Sequence, residues 1–172
     1  MTQFIRSLVL IVVSVSPVPA LAAQFGGYLT TQSATGVSLF GEGALTEDSG
    51  STLVAGLDVG GRSYVMKGAD TITRLLMSPY IGTETPISPT LSLAYRLGIG
   101  ANLAGDKTDF GFISNKVFFK MGHDSFAARR TPSGPISGMM AGWELTINGK
   151  QPELNGTELR PLEVSVFLGT VY

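Results

Sequence analysis

Cysteine is absent from this 172-residue chain, which excludes disulfides, thiol catalysis and zinc–thiolate centres. A single histidine, His123, excludes a histidine-cluster metal site within one chain. Charge is also scarce. Asp, Glu, Lys and Arg make up 15% of the residues, against roughly 25% in an ordinary soluble domain. The formal net charge is −1 and the basic residues form no stripe, so nucleic acid is not an expected partner. Beyond the N-terminal segment no run of 18 apolar residues occurs, so no membrane-spanning helix is expected. The glycine-rich stretches Gly56-Leu57-Asp58-Val59-Gly60-Gly61 and Gly98-Ile99-Gly100 precede no helix, so they are not phosphate loops. Relief of crowding or strand bending is their expected role. No cofactor and no metal is expected.

The first segment present is an export signal. Met1 to Arg6 is short with one positive charge, and Ser7 to Val18 is apolar. Ala20-Leu21-Ala22 then supplies the small residues that a signal peptidase accepts. The apolar run is too short to span a bilayer as a helix. Residues 1–22 are therefore read as a cleaved secretory signal and 23–172 as one domain. Loss of Arg6 leaves 11 basic residues from the original 12, against 13 acidic ones.

The remainder predicts about eight strands, near 25–33, 36–46, 52–66, 71–82, 90–104, 109–122, 138–149 and 160–172. Turn-rich stretches separate them, including Glu47-Asp48-Ser49-Gly50, Pro86-Ile87-Ser88-Pro89 and Asn148-Gly149-Lys150. The fifth strand alternates most clearly. Leu91, Leu93, Tyr95, Leu97, Ile99, Ala101 and Leu103 share one face; Ser92, Ala94, Arg96, Gly98, Gly100 and Asn102 share the other. Such period-two alternation marks a sheet with unlike faces. Strands 25–33 and 36–46 alternate poorly, which leaves the seam as the weakest part of the pattern. The fold class expected is all-β: a closed antiparallel up-and-down barrel of about eight strands.

Alternation does not say which face points inward. Two features favour lipid outside. The polar face is rich in Gly, Ala and Ser, as a narrow lumen requires, and it carries few of the Lys and Glu residues of a water-facing sheet. Asp58, Arg62, Arg96, Lys116, Lys120, Glu144 and Glu163 are then lumen charges, paired across the interior because buried charge must be compensated. Trp143, Tyr95, Tyr80 and Tyr172 are candidates for an interfacial aromatic girdle. One connection, roughly 123–137, is unexpectedly long for the end at which it would lie.

The terminal strand Leu162-Glu163-Val164-Ser165-Val166-Phe167-Leu168-Gly169-Thr170-Val171-Tyr172 ends on an aromatic residue. With the export signal and the strand count, residues 24–172 resemble the small eight-stranded outer-membrane barrels, the class containing OmpA-type, OmpX-type and lipid A-modifying barrels. Thr170 stands where such terminal strands usually carry a bulky apolar residue. The resemblance implies residence in a bacterial outer membrane, contact with its lipid, and recognition of the last strand by the barrel-insertion machinery. It does not fix oligomeric state.

Three functions remain in view. The first is a non-enzymatic outer-membrane barrel with an envelope structural, surface-interaction or assembly role. The second is a lipid A-type acyl hydrolase. His123-Asp124-Ser125 resembles the His-x-Ser arrangement of lipid A deacylases, with Ser125 as nucleophile, His123 as base and Glu144 to orient it. The asparagine that follows the serine in that family is missing here. The third is a soluble periplasmic barrel binding a small apolar ligand. Arg129-Arg130 could contact lipid phosphates, or belong to a solvated loop. Asn155-Gly156-Thr157 matches a glycosylation sequon relevant only to a eukaryotic secretory route.

Overall fold

A computed structural model describes residues 23–32, 35–47, 50–65, 71–104, 111–122, 138–149, 153–154, 157–158 and 161–171. The strands are β1 (Ala23–Gln32), β2 (Thr35–Glu47), β3 (Thr52–Val65), β4 (Thr71–Ser88), β5 (Leu91–Ala104), β6 (Gly111–Met121), β7 (Gly138–Asn148), β8 (Glu153–Leu154), β9 (Thr157–Glu158) and β10 (Leu162–Val171). Eight of them close into a barrel in the order β1-β10-β7-β6-β5-β4-β3-β2, and β8 pairs with β9 in a separate two-stranded ribbon. Every pairing is antiparallel. Closure is made by β1 against β10, from Gly26 opposite Val171 to Gln32 opposite Ser165. The edge that an open sheet would present is thereby removed. The last residues of β2, β4 and β6 and the first of β3, β5 and β7 lie at the end that carries Ala23 and Val171, here the terminal end. The last residues of β1, β3, β5 and β7 and the first of β2, β4, β6 and β10 lie at the other, the hairpin end.

Alternation sorts the side chains as it sorts the sequence. β6 buries every second residue from Phe112 to Lys120, and β7 does so from Gly138 to Asn148. A narrow lumen must then accommodate inward side chains from all eight strands. It does so by setting large residues across from glycine. Gly26 faces Phe40, Gly56 faces Tyr80, Gly100 faces Phe112 and Gly142 faces Phe118. A Cβ added at Gly100 would strike the Phe112 ring, and one at Gly142 would strike the Val117 carbonyl oxygen. Each large side chain thus lies over a position that holds no side chain.

Two sequence expectations shift. The fourth strand does not end at 82: it runs through Pro86 to Ser88, and the turn is Pro89-Thr90. Proline lacks a ladder donor, and the register of β4 on β5 slips between Pro86 and Ser88 without ending the strand. Connection 150–159, read as loop alone, contains the β8–β9 ribbon. β6 stops where Gly122 takes φ +73°, a left-handed conformation that favours glycine. The Gly122 amide donates to the Thr90 carbonyl at 2.9 Å, fastening the end of β6 to the neighbouring turn.

Candidate functional site

The lumen is built from inward positions of all eight strands, and it contains two ion clusters separated by aromatic rings. Toward the terminal end, β2 supplies Glu42, β4 supplies Tyr80 and Glu84, β5 supplies Arg96 and β6 supplies Lys120. Arg96 grips Glu42 with a two-pronged contact, Nε to Oε2 at 2.7 Å and Nη2 to Oε1 at 2.8 Å. This fork geometry is the strong form of an arginine–carboxylate pair. Lys120 Nζ donates to Glu42 Oε1 at 2.7 Å and to Glu84 Oε2 at 2.5 Å. The Tyr80 hydroxyl donates to Glu42 Oε2 at 3.0 Å. Arg96 Nη1 also donates to the Thr83 carbonyl at 2.8 Å, and its guanidinium lies 5.3 Å from the centre of the Phe118 ring.

The second cluster lies nearer the hairpin end. Lys116 on β6 and the Tyr28 hydroxyl on β1 both donate to Asp58 Oδ2 on β3. Arg62 Nη2 donates to Glu144 Oε2, and Ser114 Oγ donates to Glu144 Oε1 at 2.6 Å. Lys116 is 3.8 Å from Glu144, which joins the two pairs. Between the clusters stand Tyr28, Phe118 and Phe167, with ring centres 4.9 Å apart for Tyr28–Phe167 and 5.5 Å for Phe118–Phe167. Further toward the hairpin end, Asn148 Nδ2 donates to Glu163 Oε1 at 2.9 Å.

Asp58, Arg62, Arg96, Lys116, Lys120, Glu144 and Glu163 are all buried, none more than 7% exposed. Three further buried charges, Glu42, Arg74 and Glu84, escaped the sequence reading. Glu42 sits in the poorly alternating second strand, between Gly41 and Gly43, which hide its phase. Glu84 lies past the point where the fourth strand was expected to stop. Arg74 shares the parity of Ser78 and Tyr80, and that parity was the available signal. Among the described residues the buried charges balance: Glu42, Asp58, Glu84, Glu144 and Glu163 against Arg62, Arg74, Arg96, Lys116 and Lys120. Two internal voids of about 10 Å³ each are lined by these clusters, each about the size of one water molecule.

His123 and Ser125 lie outside the described residues, as do Arg129, Arg130 and Tyr172. Glu144 is committed to Arg62, Ser114 and Lys116 inside the barrel. It stands opposite Lys116, five positions before Met121, about 17 Å along the strand from where β6 ends. The girdle expectation is corrected for two residues. Tyr80 points into the lumen, 8% exposed, because its parity on β4 is that of Ser78 and Glu84. Trp143 is outward, but it is the central residue of β7, in register with Val117 and Val166. It therefore stands mid-wall, away from either rim. Tyr95 is outward too, and its hydroxyl donates to Asn115 Oδ1 at 2.9 Å.

The outer wall has the opposite chemistry to the lumen. Leu29, Leu39, Ile81, Ile99, Trp143 and Leu168 are all more than half exposed, with Ile99 reaching 70%. No family model matches the chain, and no curated protein matches it. Among solved structures, it is similar to the Yersinia pestis outer membrane protein Ail, whose backbone structure is known in a phospholipid bilayer nanodisc. The TM-score is 0.51 at 13% identity, over 87% of this chain and 97% of that one. The architecture is that of the small eight-stranded outer-membrane barrels. A likeness at this level of identity concerns the fold; function has to be argued from the chain's own residues.

Proposed function

We propose that this chain is an integral barrel of a bacterial outer membrane. Its filled lumen passes no solute, and its role is exercised at its surface, in envelope structure, surface interaction or envelope assembly. The observation that carries this reading is the inverted distribution of polarity: among the described residues, ten charged side chains are buried inside and a belt of Leu, Ile and Val is exposed outside. Water would disfavour that belt, whereas lipid accepts it once every backbone group is paired by closure. A soluble barrel for an apolar ligand would need an apolar cavity, and the interior here is charged and packed.

The test is membrane fractionation with gel mobility compared before and after heating. A heat-modifiable band in the outer-membrane fraction is the expected outcome. A soluble periplasmic band would overturn the reading.

A further inference from the structure

We infer that the outer wall across β5, β6 and β7 is a contact surface for a second copy of this chain, centred on Asn115. The inference rests on the chain being a membrane barrel. Asn115 is the one carboxamide on the outer wall among the described residues. It shares the parity of Ile113 and Val117, both exposed, and its partners across the ladders are Leu97 and Leu145. Along β6 it stands roughly 13 Å from Gly111 and roughly 20 Å from Met121. Aliphatic neighbours along and across the strand place it within the apolar belt, away from lipid headgroups.

Hydrogen bonding is incomplete at this spot. Asn115 Oδ1 accepts from the Tyr95 hydroxyl at 2.9 Å, but Asn115 Nδ2 donates to no described residue. Trp143 lies on the next strand opposite Val117, more than half exposed, and its indole Nε1–H also donates to no described residue. Water would satisfy these donors in a soluble protein. Hydrocarbon offers no acceptor, and an amide left without one there is costly. A protein surface meets the need that acyl chains leave.

The patch also carries its own acceptors, the second lone pair of Asn115 Oδ1 and the Tyr95 oxygen. A surface with both donors and acceptors is complementary to itself. A two-fold axis along the membrane normal sets every copy's Asn115 at the same depth. Two carboxamides then meet and exchange Nδ2–H to Oδ1 bonds in both directions. A foreign protein would have to bring matching groups to that depth, whereas a second copy has them there already. Tyr95, Val117, Trp143 and Leu145 surround the pair, and aromatic side chains of this kind anchor interfaces. The mid-wall position of Trp143, which a lipid-anchoring girdle does not explain, suits such a contact.

The experiment uses the full mature protein in vesicles of phosphatidylethanolamine and phosphatidylglycerol. The chain has no cysteine, so a single introduced one reports only contacts between copies. With a membrane-permeant bismaleimide, Val117→Cys is expected to give cross-linked dimer several-fold above Leu39→Cys, which places the thiol on the exposed wall of β2. Adding Asn115→Leu to Val117→Cys is expected to lower the yield to the Leu39→Cys level. Trp143 is the one tryptophan and gives a second readout. Phospholipids brominated at mid-chain are expected to quench its fluorescence several-fold more in Asn115→Leu than in the wild type, which shields it between copies.

Equal cross-linking from Val117→Cys and Leu39→Cys overturns the contact, as does an unchanged yield in a folded Asn115→Leu. Equal bromine quenching of the wild type and a folded Asn115→Leu overturns it too. The comparison of Val117→Cys with Leu39→Cys decides alone if Asn115→Leu does not fold. Failure of the wild type to enter vesicles as a heat-modifiable species would instead sink the membrane-barrel reading on which the contact depends.

Discussion

At Lys120 an ammonium with no solvent exposure is held between two carboxylates, Glu42 and Glu84. Burial removes its hydration, so only those partners stabilise the charge. Replacing it with methionine keeps the stem but takes from Glu84 its partner at 2.5 Å and leaves it Arg96, 3.7 Å away. We expect Lys120→Met to cost about 3–5 kcal/mol, the usual penalty for removing one member of a buried pair, read by urea titration of the folded band in vesicles. Adding Glu84→Gln should recover part of that loss, since it removes one uncompensated charge. Glycine gives a second prediction at this scale. Gly142→Val would drive side-chain atoms into the Val117 carbonyl and the Phe118 backbone, neither of which can move aside within the ladder. It should destabilise by about 1–3 kcal/mol or more, whereas Gly43→Ala, with open space beside it, should unfold at the wild-type midpoint.

At the scale of the strand, parity decides the solvent that each side chain meets. Leu39 lies on the outward face of β2, between Ser38 and Phe40, which are both buried. Leu39→Arg should cost about 2–4 kcal/mol near the bilayer midplane in the same vesicle titration. A cost near zero would contradict a lipid-facing wall. The same parity explains what the sequence disclosed. Strands such as β5 and β7 announce both phase and extent, because their outward residues are large and their inward ones small or polar. β1 and β2 do not, because Gly26, Gly27, Gly36, Gly41 and Gly43 fall on both faces and flatten the alternation. The pairing of Gly26 with Phe40 lies in the register between strands, which a single chain read linearly does not display. Glu84 is hidden for a different reason: Pro86 reads as part of a turn, whereas β4 absorbs it with a register slip.

For the molecule as a whole, the described residues of the lumen combine a neutral set of buried charges with two voids of about 10 Å³ each. Voids of that size and balanced charge among the described residues leave little to conduct or attract an ion. Purified protein in a planar bilayer should therefore show no stable single-channel steps, and a reproducible open conductance would contradict a sealed interior.

That balance also bears on how a barrel of this kind would enter a membrane. Among the described residues, five basic and five acidic side chains stand inside, contributed by strands from β2 to β10. A half-built sheet lying in hydrocarbon would expose carboxylates and cations whose partners had not yet arrived: Glu42 on β2 waits for Arg96 on β5, and Arg62 on β3 waits for Glu144 on β7. Strand-by-strand entry into bare lipid would pass through a succession of stranded charges. If the proposed membrane reading holds, insertion and closure would have to be nearly one event, or take place in a shelter that holds the early strands until β10 meets β1.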